Sequence, residues 1–218
     1  MLTQILSELQ AYGAKLVAIS KTHPEAAILK LYEQGQRIFG ENRVQELVPK
    51  YEALPKEIEW HLVGHLQTNK VKYVAPFVAC IHSVDSLKLL QEIDKQAKKY
   101  NRTIDCLLQF HIAEEETKFG LDLDEAAVIL QSPEFQQLEN VHITGVMGMA
   151  TFTDDMAQVR REFRQLKSIF DQLKNRFFTQ KNYFREISMG MSGDYKVALE
   201  EGSTMVRIGT LLFGEREG

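Results

Sequence analysis

The chain reads as an α/β protein, and within that class as a closed barrel of eight β/α units. Three observations lead there. Short runs rich in Val, Ile and Leu recur at 16–20, 37–39, 60–63, 78–82, 104–110, 143–147, 185–188 and 205–208. Segments with helical spacing separate them, so successive strands are joined by crossovers and run parallel. Eight such units in 218 residues suit a (β/α)8 barrel, whose usual length is about 200–250 residues. An open doubly wound sheet is the competing architecture. It is weakened because no Gly-rich dinucleotide fingerprint follows the first run.

A leading helix precedes the first strand, with Leu2, Ile5, Leu6, Leu9 and Tyr12 on one face. The run at 16–20 is closed by Lys21-Thr22-His23-Pro24, and Pro24 favours an extended residue before it and a helix start after it. The segment after Asp85 places Leu87, Leu90, Ile93 and Ala97 on a second apolar face. The clearest helix is expected to be capped by Thr153-Asp154 and carries Met156, Val159, Phe163, Leu166, Ile169, Phe170 and Leu173 at three- and four-residue steps. That Met and Phe stripe is core packing, not a cofactor box. A short helix, Tyr195 to Leu199, follows Ser192-Gly193-Asp194. No Ser- or Gly-rich linker divides the chain, so residues 1–218 are expected to form one domain.

Composition narrows the function. The chain is 44% apolar and 26% charged, with 26 basic and 30 acidic residues and a net charge of -4. Its basic residues are scattered and not striped, which argues against a nucleic-acid partner. No apolar window is long enough for a membrane span, and the first fifteen residues lack the basic start and apolar stretch of a signal peptide. Cys80 and Cys106 sit in apolar runs and read as reduced core thiols of a cytoplasmic protein. His61 and His65 flank Gly64 without a carboxylate or cysteine at ligand spacing, so no metal is expected.

In a barrel the chemistry lies at the C-terminal ends of the strands. Those ends carry Ser20-Lys21-Thr22, Gly40-Glu41-Asn42-Arg43, Gly64-His65, His82-Ser83, Gln109-Phe110-His111, Gly148-Met149, the stretch from Ser188 to Asp194, and Arg207-Ile208-Gly209-Thr210. Lysine is poorly suited to the mouth of a buried strand. Lys21 is therefore either a Schiff-base amine freed by desolvation or a side chain that bends out to solvent. Ser192 is either a phosphate donor or a plain helix cap, and Gly209 either a close-approach glycine or a plain turn. Barrels often bind phosphate after strands seven and eight, and closure sets strand eight beside strand one. Lys21, Arg207 and a phosphate cradle then share one half of the rim, with Asn42 on the other side of Lys21. Met189, at the end of strand seven, is counted with this group. Pyridoxal 5′-phosphate, with an aldehyde and a phosphate on one small ring, would span the cluster, with Arg207 facing the pyridine nitrogen. A Schiff-base aldolase acting on a sugar phosphate would use the same amine.

The segments AISKTHP, FGENRVQE, WHLVGHLQTNK, HSVDS, GVMGMAT and SMGMSGDYKVALEEGSTMVRIGTLLFGER give the sequence a resemblance to the pyridoxal-phosphate homeostasis protein family. The resemblance runs from Lys15 to Arg216 and implies a TIM-type barrel of pyridoxal-phosphate fold type III, related to the N-terminal domain of alanine racemase. It implies that Lys21 holds the cofactor as an internal aldimine. The phosphate-binding serine falls on Ser192, the arginine-glycine site on Arg207, Gly209 and Thr210, and the asparagine of the FGEN stretch on Asn42. His111 departs from the pattern, where many relatives carry Asn. Racemases and decarboxylases of this fold type are implied to carry a second, β-rich domain, for which the barrel leaves only Glu215 to Gly218. An arginine opposite the pyridine nitrogen also disfavours its protonation. Both points lead to the expectation of a cofactor carrier and regulator without catalytic residues of its own, serving apo-enzymes as partners. A weak fold-type-III amino-acid racemase is the alternative. A monomer is expected, with a homodimer as the other option. Asn69 and Lys70 are expected at the rim, Glu114-Glu115-Glu116 as a solvated loop, with closure of Lys118 and Gly120 over the mouth as a flap the lesser option, and Arg160 and Arg161 on a solvated helix face.

Overall fold

The computed structural model describes residues 1–114 and 119–214. Its strands close into a parallel barrel in the order β1 to β8: Lys15–Ile19, Ile38–Glu41, Glu59–Leu62, Cys80–Val84, Ile104–Phe110, Val141–Gly148, Glu186–Ser188 and Met205–Ile208. Each expected strand is present, its bounds moved by two residues at most. The helices α1 to α10 are Leu2–Tyr12, Glu25–Glu33, Val44–Ala53, Val71–Val74, Leu87–Lys99, Leu123–Gln131, Pro133–Gln136, Met156–Phe177, Tyr195–Glu200 and Thr210–Phe213. Pairing of β1 with β8, Lys15 opposite Met205 through Ala18 opposite Ile208, completes the ring.

The strands are apolar throughout because both of their faces are buried. Alternate residues belong to different layers. Leu16, Ala18, Phe39, Trp60, Ile81, Cys106 and Leu108 belong to the main core, together with buried residues of the helices. Val17, Ile19 and Met205 form one separate cluster, and Cys80, Leu107 and Met147 form another. Both cysteines are buried free thiols.

Four expectations about the helices need correction. Met156, expected in the packed stripe of α8, is exposed. On α1, Leu2, Ile5 and Leu9 are buried, but Leu6 and Tyr12 are exposed. The cap of α8 is Asp155, whose carboxylate accepts from the N–H groups of Ala157 at 2.9 Å and Gln158 at 3.1 Å. Thr153 instead accepts from the Asp155 N–H at 3.1 Å and shapes the turn before the cap. Arg160 does not lie on a merely solvated face: it pairs with Glu200 and with Glu201 at 2.5 Å, and Arg164 adds a bond to Glu201 at 2.9 Å, tying α8 to α9. Arg161 is exposed as expected. From the other side Tyr195 of α9 donates to Glu8 of α1 at 2.7 Å. The helix that follows β7 is thus held at both flanks.

Phe163 is fully buried at the centre of α8. Phe163→Ala is expected to cost about 3–5 kcal/mol in urea unfolding, while Val128→Ser on the exposed face of α6 should change stability by about 0.5 kcal/mol or less.

Candidate functional site

A cavity of about 550 Å³ opens at the C-terminal ends of the strands. This lies within the range of small-molecule sites, ~300–1,000 Å³. Lys21, Asn42, Ser192, Arg207, Gly209 and Thr210 all line it. Met189 does not: its side chain is fully buried in the main core. The reason is strand alternation. Ser188 points into the barrel, where it bonds to His82 and Arg207, so the next residue points out. The methionine on the cavity wall is Met191.

Lys21 stands two residues beyond the end of β1, on a turn fixed from below. Glu41, fully buried at the end of β2, accepts from the Ser20 hydroxyl and from Lys50 of α3, each at 2.6 Å. Lys50 also donates to the Ser20 carbonyl at 2.8 Å. Burial pushes the Glu41 carboxyl up, and its bonds to Lys50 and Ser20 oppose that shift. Its second oxygen, Oε2, finds no partner among the described residues. Removing one partner of such a buried pair typically costs about 3–5 kcal/mol, because the other charge is left unpaired. On the far side of Lys21, Thr22 adopts φ 68°, a left-handed conformation that costs a non-glycine residue about 1–2 kcal/mol. Glu46 holds it there by accepting its N–H at 2.8 Å.

Beyond β7 the chain turns at Gly190, φ 94°, where a Cβ would stand 2.6 Å from the Ala198 Cβ. Only glycine lets α9 fold back so closely. Asp194, not Ser192, closes this loop, accepting the Met191 N–H at 2.5 Å. The cap residue of α9 is Asp194, so Ser192 is not a plain helix cap. Among the described residues the N–H groups of Ser192, Gly193 and Thr210 have no hydrogen-bond partner. Gly209 allows close approach: a Cβ there would stand 3.2 Å from the Ile19 carbonyl oxygen. Arg207 is buried, donating to the Ser188 hydroxyl at 2.6 Å and the Gly148 carbonyl at 3.0 Å. Burial lowers its pKa to about 10, so it remains a cation at neutral pH.

Several wall residues escape a reading of strands seven, eight and one alone. Gln109 and Met149 come from the ends of β5 and β6, and the loop from Thr151 to Asp154 supplies a further wall. Glu162 of α8 organises that loop, accepting from the Thr151 N–H at 2.6 Å, the Thr151 hydroxyl at 2.7 Å and Gln158 at 3.1 Å. Burial opposes ionisation of Glu162, but these bonds outweigh it and hold its pKa below the ordinary value. Phe119 lines the mouth and stacks on His65, with ring centroids 5.1 Å apart. Gly120, the described residue of the flap option, does not line the cavity. Glu115, Glu116 and Lys118 lie outside the described residues, as do Glu215 to Gly218. His111 does not line the cavity. Lys70 borders an adjoining cleft with Arg43 and Glu46.

The linear spacing gave no sign of a group able to hold a metal, yet the fold gathers three side chains of that type: His61, Cys80 and His82 each place a donor atom within 4.8 Å of the others, all buried. Cys80 and His82 are two residues apart on one strand, and His61 pairs directly with Cys80 across β3 and β4.

Comparisons with known proteins agree on one group. The family profile described as alanine racemase, N-terminal domain, matches residues 2–217. A pyridoxal phosphate homeostasis protein of Aquifex aeolicus is 43% identical over 208 residues, covering 94% of this chain and 88% of that protein. The protein of the same name from Homo sapiens is 36% identical over 219 residues, covering 96% and 79%. The structure of PipY of Synechococcus elongatus with pyridoxal phosphate bound superposes with a TM-score of 0.85 at 35% identity, covering 98% of this chain and all of that one. An alanine racemase of Clostridium difficile shares the fold, with a TM-score of 0.76 at 16% identity, and this chain spans 60% of it.

The Glu162 network sets an acid limit. Its carboxyl has a lower pKa folded than unfolded, so its stabilisation is present above the ordinary value of 4.5 and is lost as pH falls through the folded value. Glu162→Gln should cost about 1–3 kcal/mol at neutral pH, and the gap to wild type should shrink below pH ~4 in urea titrations.

Proposed function

We propose that this chain, which belongs to the alanine racemase N-terminal domain family and within it to the pyridoxal phosphate homeostasis proteins, holds pyridoxal 5′-phosphate at the open end of its barrel and acts in the cytoplasm as a carrier and regulator of that cofactor. The observation that carries this reading is the meeting of one lysine, one buried arginine and a set of unpartnered backbone N–H groups on the wall of a single cavity. A phosphorylated aromatic aldehyde asks for those three things: an amine, a hydrogen-bond donor at the ring, and an anion cradle.

Each residue has a task in this reading. Lys21 presents its amine to the aldehyde end, on a turn whose direction Glu41, Lys50 and Glu46 fix. The Ser192 hydroxyl and the N–H groups of Ser192, Gly193 and Thr210 receive the phosphate. Gly209 lets the backbone come close to it. Asn42 stands on the opposite side of Lys21 and lines the flank of the ring. Arg207 donates to the ring nitrogen, and its bonds to Ser188 and Gly148 hold the guanidinium in place. When bound, the cofactor supplies an electron-withdrawing ring, and that property is strongest with a protonated nitrogen. A guanidinium cannot accept a proton and thus keeps the nitrogen a bare acceptor. Retention and release of the cofactor are therefore favoured over turnover, which agrees with relatives named for homeostasis and not for a reaction.

Addition of pyridoxal phosphate to the purified protein should give a visible absorption band fixed by borohydride. Lys21→Ala should lose that band, and its persistence would remove Lys21 from the role. Ser192→Ala should weaken phosphate-end binding by about 1–2 kcal/mol, measured by equilibrium dialysis. Arg207→Ala should release the cofactor faster on gel filtration. The carrier role predicts reactivation of an apo-enzyme mixed with the loaded protein, and absence of transfer would leave a binding protein only.

A further inference from the structure

We propose that the interior of the barrel, below the cofactor cavity, holds a site for one monovalent copper ion bound by His61, Cys80 and His82. The three donor atoms lie within 4.8 Å of one another. The closest pair, His61 Nδ1 and His82 Nε2, is 2.9 Å apart. Ligands at ~2.0–2.3 Å from one ion stand roughly 3.3–4 Å apart, so the 2.9 Å pair has to open and the wider separations close by up to about 1 Å. Burial pushes His61 down to about 3 and His82 well below its ordinary value, so each is a neutral imidazole. The 2.9 Å contact holds one proton between the two rings, so for both Nδ1 of His61 and Nε2 of His82 to face the ion His61 carries its proton on Nε2 instead. The second nitrogen of His82 is engaged by the Ser188 hydroxyl at 3.0 Å, an outer partner that fixes the ring and aims Nε2 at the site.

Charge selects the metal. Two neutral imidazoles and one thiolate carry a single negative charge, which a monovalent ion cancels. A divalent ion would leave a net positive charge in a buried site whose outer partner, Ser188, already binds the Arg207 cation. Softness points the same way. Thiolate and thioether donors favour monovalent copper, and Met147 packs against Cys80 in the same cluster. Three protein ligands complete a trigonal site, so no fourth donor is required. On binding, the S–H bond of Cys80 is replaced by a sulfur–copper bond, and one proton leaves to solvent. Cys80 and His61 retain 5% and 4% exposure, whereas His82 has none, so an ion reaches the site from the Cys80 side. Burial holds the Cys80 thiol well above its ordinary value, Cys106, Asp105 and Glu186 act in the same direction and Lys15 against them, so the ion itself has to displace the thiol proton.

The test is anaerobic competition with the coloured bicinchoninate complex of monovalent copper, followed by absorbance on the full chain. Wild type and Cys106→Ser should each withdraw one equivalent, because Cys106 belongs to the core outside the barrel. Cys80→Ser should bind at least about 100-fold more weakly, since loss of an outer partner alone costs ~10–100-fold. His61→Gln should behave like Cys80→Ser, and it carries the test should Cys80→Ser lose its fold by circular dichroism. Absence of uptake by folded wild type, undiminished uptake by Cys80→Ser or His61→Gln, or loss of uptake in Cys106→Ser would each overturn the site.

Discussion

The pairing of β8 with β1 is the constraint on which the rest depends. Val17 stands opposite Arg207 and Ala18 opposite Ile208, so the two strand ends that carry Lys21 and Gly209 are neighbours although almost the whole chain separates them. Without that closure the lysine would sit on an open edge, and the buried arginine would lose the walls that desolvate it. With it, Lys15 at the other end of β1 meets Glu186 at 2.5 Å, a second tie between the first strand and the last two. The ring is thus fastened both at the rim that bears the cavity and at the opposite end.

Within the ring, polar groups form a band. Arg207 donates to Ser188, Ser188 meets His82, and His82 meets His61. Apolar residues pack on either side, Val17, Ile19 and Met205 in one cluster and Cys80, Leu107 and Met147 in the other. A buried polar side chain is tolerated only when its partners are present, and here each group in the series satisfies the next. The band gives the arginine its orientation and joins the cofactor cavity to His82, beside His61 and Cys80, by two hydrogen bonds.

Much of this was legible in the residues. Strands buried on both faces leave short apolar runs, and those runs located the eight strands to within two residues. Lys21 and Ser192 stood out because a cation and a glycine-flanked serine are costly or unusual where they occur. A strand end read whole puts Met189 at the cavity, where it does not stand. The alternation that turns Ser188 inward also turns Met189 outward, but that needs a known partner for Ser188. The His61–Cys80–His82 group was hidden because its spacing is set by strand register and not by chain order. Arg160 looked solvated because the acidic end of α9 that faces it is about forty residues away. The walls supplied by Phe119 and by the loop from Thr151 to Asp154 come from irregular segments, where no periodic pattern reports direction.

The left-handed Thr22 has a consequence for how fast and how tightly a ligand is caught. Its backbone is held in a sparsely populated region by Glu46, and the energy of that distortion is supplied by folding and not by the ligand. The backbone that carries the neighbouring lysine is therefore set before a guest arrives. The backbone entropy of this turn is thus not lost again at encounter, and what remains to be ordered is the lysine side chain itself.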